Sequence, residues 1–599
     1  MTPSFRSLRE FLQFCGDRGE LSVIDREVDP HLEVCEIPDR AMRGPGGGKA
    51  LLFTRVRGSD LPVAVNILGS ESRMAWALGS ESLREVESRV AAIAELEPPD
   101  GLAQAWKAAR NLAQLRHAPP RTVRSGACQQ VVESQVDLSR LPVLTTWPED
   151  AGPFITWPMV FSRSPSGKSN CGMYRMQVFD KTTTGMHWQR QKDGRRHAQE
   201  ASRRIPVAVA LGGPPVLTYA ATAPLPPDVF EMLLAGFLQR RRVPMVRCGI
   251  HDILVPAESD IVLEGWVDPN ELRREGPFGD HTGYYSQADD YPVFHVERVT
   301  RRRDAIFPAT VVGIPPKEDG FLGQATERIF LPLLRRVHGE IRDLHLPPEG
   351  VFHNLVLAQV RKRFPAHAHK SFHAVWGTGQ MMFTKAVVAL DEGLDMADPV
   401  RVLDALDKNW HAVRDTVLST GPADTLDHAG TMDRGGKIGL DATTKIPGED
   451  LSPRSAGEED RPNFPSGLPD GVVRTSVPEG SEGRVLLVQL DKTRAGQGRD
   501  LLSGIRSADL SPRVLLVAVY DDPEALESGG MALVVGGANF EPSRDLVVLD
   551  SPRPGKALGF DCTKKRPDEG YDRGEWPRLI QQDPSIVSSV DSFAKELSL

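Results

Sequence analysis

Two carboxylates stand five residues apart in REGPFGDHTGYY, residues 274–285. The Gly-Pro-Phe-Gly turn between Glu275 and Asp280 could bring both to one cavity. Two nearby carboxylates in unequal surroundings can keep one protonated near neutrality for proton transfer. The same pair could instead cap a turn and bind Arg273 or Arg274, and residue types leave both readings open. A second concentration is NCGMYRMQ at 170–177, followed by GMHWQRQKDGRRH at 185–197. Asn170 offers an oxygen acceptor, and Arg175 a planar fork suited to carboxylate or phosphate. Lys192 and Arg195 would suit an anionic cofactor, although a charged stretch of this kind also describes a solvated hairpin.

Glu231 follows a Pro-Pro-Asp start signal at 226–228 and so opens a helix. A lone helical Glu is normally solvated. With Asn170 and His197 it would complete a mixed nitrogen and oxygen set suited to manganese or magnesium. Their spacing alone does not show that the three converge.

Leu8, Phe11, Leu12 and Cys15 follow a helical period, and 81–116 is strongly helical. The strands LLFTRV and PVAVNIL follow the turn GPGGGKA at 44–50. That turn fails as a phosphate loop, because Arg43 stands where the first Gly belongs and Ala50 where a Ser or Thr would bind magnesium. From about 120 to 310, short apolar runs separated by Gly, Pro and Asp predict a β-rich domain of barrel type. Beyond about 320 the pattern becomes α/β.

The last third repeats itself. VVALD ending at Asp391 resembles VAVYD ending at Asp521, and Asn409-Trp410 with Arg414-Asp415 resembles Asn539-Phe540 with Arg544-Asp545. GGKIGLDATTKIP at 435–447 resembles GKALGFDCTKKRP at 555–567. Three similar segments in one order indicate a duplicated α/β module joined by a polar linker, EDLSPRSAGEEDRPNFPSG.

At 599 residues the chain exceeds a single hydrophobic core, so several domains are expected. Apolar residues make up 40% and charged residues 26%, a balance that excludes extended disorder. With 72 Lys and Arg against 81 Asp and Glu, the net charge of −9 argues against nucleic-acid binding through phosphates. The six cysteines show no C-x-x-C spacing, so neither a zinc ribbon nor a redox dithiol is indicated. No apolar run approaches the ~20 residues of a membrane span, and the expected location is the cytoplasm.

NCGMYRMQ, EGPFGDHTGYYS, PPKEDGFLGQATE and HAVWGTGQMMFTKAVVALDEGLD, in this order, resemble the UbiD family of decarboxylases, which use prenylated FMN. The resemblance covers roughly residues 1–450. It implies an α+β multidomain chain: an N-terminal α/β domain at 1–118, a split β-barrel cofactor domain at 119–315 and an α/β oligomerisation domain at 316–450, to which the repeat adds a second copy at 451–599. It also implies Mn2+, with K+ as an accompanying cation, bridging the cofactor phosphate to Asn170, His197 and Glu231. Cofactor contacts would run through Met173, Tyr174, Arg175, His187, Trp188, Gln189 and Lys192, with Lys385 near the phosphate. Arg175, Glu275 and Asp280 fall on the family's catalytic network, in which an acid returns a proton to the ring carbon that loses CO2.

Chain length, GMHWQR and the C-terminal extension look most like the subgroup that decarboxylates a dihydroxynaphthoate or its prenylated form in menaquinone synthesis. Alternatives are a 4-hydroxybenzoate-type decarboxylase of ubiquinone synthesis, aromatic-acid catabolism, or a non-catalytic flavin- or metal-binding subunit. The partners implied are a small aromatic acid, a flavin prenyltransferase as cofactor supplier and further copies of the chain, as a dimer or hexamer.

Overall fold

A near-continuous apolar run sets the central strand of the main sheet. In the strand Ile205–Leu211, Val207, Val209 and Leu211 join one buried cluster while Ala208 and Ala210 join another, so both faces of the sheet are covered. The computed structural model describes residues 4–98, 100–201, 203–449, 470–505, 510–551 and 557–594; most of the polar linker lies outside them. The chain divides into two compact units. One comprises Met1–Pro332 and takes back Leu579–Leu599, and the other is Leu333–Arg578. The last module was expected to run through 599, whereas the chain returns to the first unit at 579.

In the first unit a four-stranded sheet is built from Leu21–Val28, Ala50–Val56, Val63–Val65 and Phe307–Pro308. The site rests on a curled half-barrel whose strand order is Thr183–Gly185, Asp289–Arg301, Ile261–Glu275, Ile205–Leu211, Met159–Arg163 and Ser169–Met173. All these pairings are antiparallel, and the short strand Val131–Val132 adds to Asp289–Arg301. Ile261–Glu275 is the longest strand of the six, and it delivers Glu275 at its very end, opposite Asp289.

The charged stretch before His197 is a helix, Asp193–Ala201, and not only a loop. Its buried face is Gly194, His197 and Ala198, an i, i+3, i+4 pattern. Charge at Asp193, Arg195, Arg196 and Glu200 hides that narrow stripe from a reading of the sequence. A further helix, Pro215–Thr222, lies in a run read as strand and turn.

The second unit holds two five-stranded sheets. Ile341–His345, Leu355–Val360, Ala386–Asp391, Arg434–Asp441 and Thr416–Pro422 form the first, in that order. Val472–Ser476, Val485–Leu490, Leu516–Tyr520, Leu558–Asp561 and Leu546–Val548 form the second, with the same sequence of antiparallel, parallel, parallel and antiparallel pairings. Contacts between the copies are reciprocal at the offset of 130 that relates Asn409 to Asn539. Arg484 lies on Asp404 and Asp407, while its counterpart Asn354 lies against Gly537, the counterpart of Asp407. The reciprocity is that of a two-fold pair formed within one chain.

Candidate active site

The turn Ser164–Gly167 joins the strands Met159–Arg163 and Ser169–Met173, which sets Asn170 directly opposite Ser162. Directly opposed residues share one face of a sheet. The Ser162 hydroxyl contacts His197 Nδ1 at 3.0 Å, leaving Nε2 as the nitrogen for a ligand. On the next residue along, the Cys171 N–H donates to Glu231 Oε2 at 2.7 Å. Asn170, His197 and Glu231 are thus tied to one pair of adjacent strands, although 61 positions separate the outer two in the chain. Burial pushes the Glu231 carboxyl up to about 7, and its backbone hydrogen bonds oppose this only in part. Burial also holds the His197 imidazole below its ordinary value and so favours the neutral form a metal requires.

Arg175 follows that same strand and reaches the second group. Its Nε donates to Glu275 Oε1 at 3.3 Å, its Nη1 to Asp280 Oδ2 and its Nη2 to Ser286 Oγ at 2.9 Å. The guanidinium carbon stands 4.9 Å from the centre of the Phe278 ring. Glu275 Oε1 also meets His187 Nδ1 at 2.8 Å, and the imidazole packs on Tyr291 at 4.2 Å between ring centres. Asp280 Oδ1 accepts from the backbone N–H of His281 at 2.8 Å and contacts its Nδ1 at 2.9 Å.

Glu275 is 1% exposed and Asp280 7%, so water contributes little to holding their charge. Burial raises the Glu275 carboxyl, but His187 and then Arg175 outweigh it and leave Glu275 below its usual range. Burial likewise opposes ionisation of Asp280, and Arg175 followed by His281 overcomes it, so Asp280 is also held well below its usual range. Both groups rest as carboxylates at neutral pH. Asp319, which senses His281 and Asp280, is pushed up to about 6, chiefly by burial.

Several atoms here have no partner. Among the described residues, Glu275 Oε2, His187 Nε2, Trp188 Nε1 and Arg195 Nε are buried without a hydrogen bond. Buried polar atoms are ordinarily paired, so unpaired atoms gathered in one region mark a place prepared for a ligand. Gly185 and Gly194 keep that region open. A Cβ on Gly185 would stand 2.6 Å from Glu275 Oε2, and one on Gly194 would stand 2.6 Å from Trp188 Nε1. Among the described residues no trio of His, Cys, Asp and Glu gathers around a metal position. The candidate set is instead an amide, an imidazole and a carboxylate, a donor set that would suit a hard divalent cation.

Other residues named from the sequence stand as follows. Met173 pairs with Met159 across the sheet, Tyr174 and Trp188 are buried, and Gln189 accepts from Gln191. The Lys192 N–H donates to the Gln189 carbonyl. Lys385 belongs to the second unit, where its Nζ bonds Asp427 at 3.1 Å and the Gly537 carbonyl at 2.6 Å. The sequence reading did not assign Ser162, His281, Ser286 or Tyr291. His281 and Ser286 lie within the EGPFGDHTGYYS motif and could have been drawn from it, whereas Ser162 sits in an apolar strand with no distinguishing signal.

Fold and site define an enzyme of carboxylate chemistry: a guanidinium holds two buried carboxylates at the end of a half-barrel strand. Family models for the 3-octaprenyl-4-hydroxybenzoate carboxy-lyase N-terminal, Rift-related and C-terminal domains match residues 12–93, 121–315 and 320–442. The chain belongs to this UbiD family and is a carboxy-lyase. An uncharacterized protein of Archaeoglobus fulgidus is 45% identical over 449 residues, 74% of this chain and 92% of its own length. The vanillic acid decarboxylase of Sedimentibacter hydroxybenzoicus superposes with a TM-score of 0.67 at 25% identity, covering 77% of this chain and 96% of its own. The UbiD-class enzyme HmfF from Pelotomaculum thermopropionicum, solved with FMN, gives a TM-score of 0.63 at 27% identity over 75% and 97% of the two chains.

Proposed function

We propose that this chain removes CO2 from an aromatic carboxylic acid without net oxidation, using prenylated FMN held through a divalent cation, Mn2+, by Asn170, His197 and Glu231. The carrying observation is Glu275, buried, with one oxygen held by Arg175 and His187 and the other unpaired. When bound, the prenylated flavin supplies an electrophilic carbon and an electron sink that side chains lack.

The remaining chemistry belongs to the protein's own groups. Arg175 is the cation that a substrate carboxylate would seek, and that carboxylate competes with Glu275 and Asp280 for the guanidinium. As Arg175 is drawn away, burial is less opposed and Glu275 gains proton affinity. Glu275 then takes up a proton, which its unpaired Oε2 delivers to the ring carbon that has lost CO2. Asp280, held by Arg175 and by the backbone N–H of His281, stays ionised as the carboxylate Arg175 keeps when it leaves Glu275. The environments of the two carboxylates separate a proton carrier from an anchor.

The finer reading takes a dihydroxynaphthoate, free or prenylated, as the substrate, with a place in menaquinone synthesis. It rests on GMHWQR and the long C-terminal extension. The test is co-expression with a flavin prenyltransferase, without oxygen and with manganese, followed by CO2 release from hydroxybenzoates and dihydroxynaphthoates. Release from naphthoates alone supports the finer reading. Release from benzoates alone assigns the enzyme to the 4-hydroxybenzoate type, and full turnover by Glu275→Gln overturns the proton assignment.

A further inference from the structure

The family models end at residue 442, yet the chain returns to the first unit 137 positions later, at Leu579. Leu579 pairs with Tyr284 in an antiparallel bridge, and the Ile580 N–H donates to the Gly283 carbonyl at 2.8 Å. Those two partners close the turn that carries Asp280. The Asp280 N–H donates to the Tyr284 carbonyl at 3.1 Å, and the Gly283 N–H to the Asp280 carbonyl at 3.0 Å. The returning segment therefore lies, through one β-bridge and one further backbone hydrogen bond, against the turn from which the Asp280 carboxylate projects.

Beyond it the chain is firmly held. Ile580 is 3% exposed, and the helix Pro584–Ala594 buries Val590 and Phe593 in the core shared with the half-barrel. Arg40 bonds Asp591 at 2.6 Å and the Val587 carbonyl at 2.9 Å, and Arg26 stacks over Phe593. The segment also walls a cavity of about 360 Å3 whose other sides include Trp147 and Lys317. Trp147 packs against Gly279, the residue before Asp280, so close that a Cβ there would stand 2.2 Å from the indole. The Gly279 N–H is anchored on Asp150 Oδ1 at 2.7 Å. The turn is thus braced by Trp147 and Asp150 before Asp280 and by the returning segment after it.

We propose that residues 579–594 are a positioning element of the active site, with Ile580 fixing the Asp280–Tyr284 turn through its backbone N–H. Asp280 touches Arg175 directly and Ile580 acts through Asp280, so Ile580 is a positioning residue. A misplacement near 1 Å at a reacting group costs on the order of a hundredfold in rate. The proposal builds on the decarboxylase reading, and its test includes a measurement independent of turnover.

Ile580→Pro removes the N–H in the full-length chain, and Ile580→Val keeps both the N–H and the packing. In Ile580→Pro, amide hydrogen exchange across 280–284 is expected to quicken at least tenfold. Flavin occupancy is expected to be retained, with kcat down roughly tenfold to a hundredfold and KM changed by less than about twofold. Ile580→Val should match the unaltered chain. A chain ending at Arg578 should show the same exchange change more strongly. Exchange in 280–284 equal in Ile580→Pro and Ile580→Val overturns the proposal, as does parallel loss of flavin occupancy and kcat. If the unaltered chain decarboxylates no acid, the functional reading fails, while the exchange result still decides the positioning role.

Discussion

Around Arg175, Glu275 and Asp280 buried charge is left incompletely paired, whereas around Asp415, Asp441 and Lys445 it is closed. In the latter cluster Asp415 accepts from Arg414 and from the His411 N–H, and Asp441 from the Thr443 N–H and hydroxyl. Lys445 bridges both carboxylates at 3.2 and 3.0 Å. The second copy repeats the arrangement with Arg544, Asp545, Asp561, Thr563 and Lys565. No side-chain atom of either cluster is among the buried unpaired ones. Near Arg175, Glu275 Oε2 and His187 Nε2 are. Burial and opposite charge are common to all three places. Incomplete pairing separates the one where a ligand is to act from the two that hold a fold together.

The largest effect should come from Glu275→Gln. It keeps the shape and removes the proton carrier, so kcat should fall ~10³-fold with flavin occupancy and Tm preserved. The opposite behaviour is expected of Lys445→Met and of Lys565→Met. Each leaves buried carboxylates short of a cation and should cost on the order of 3 kcal/mol in denaturant unfolding, with turnover per folded molecule unchanged. Equal stability loss in the two variants would show that both copies use the cluster alike, and a catalytic loss in either would break the contrast.

Gly185→Ala probes the open space directly. The added methyl group meets Glu275 Oε2, and kcat should drop roughly tenfold to a hundredfold while thermal unfolding shifts little. A fully active Gly185→Ala variant would mean that the unpaired oxygen needs no clearance.

The smallest and most graded effect is on acid stability. In the second unit His428, held by Asn539 and packed on Trp576, is lowered to about 4, foremost by burial. Between pH 6.5 and about 4 the unfolded chain binds a proton that the folded chain refuses, so stability falls as pH drops through that window. Glu275 and Asp280 have lowered values, and their contribution disappears only at lower pH, as the native carboxylates themselves become protonated. Hydrogen exchange across a pH series should therefore show the surroundings of His428 loosening between pH 6.5 and about 4, and His428→Gln should flatten that response.

The family, the half-barrel strands and the repeat were legible in the residues because each is a local pattern. The near-continuous apolar run along Ile205–Leu211 marks a strand covered on both faces, and the offset of 130 from Asn409 to Asn539 marks a second module whatever surrounds it. The types needed at the site were legible as well, in Arg175, Glu275 and Asp280. Their convergence was not. Arg175 and Glu275 are 100 positions apart and His187 and Glu275 are 88 apart, and such pairs are set by the register of long antiparallel strands. The helix at 193–201 was hidden because only three of its residues face inward. The return of residues 579–594 to the Asp280 turn was hidden for a different reason. A short strand pairing and an ordinary helix carry no mark of their partner, so only the folded chain decides which edge and which core they complete.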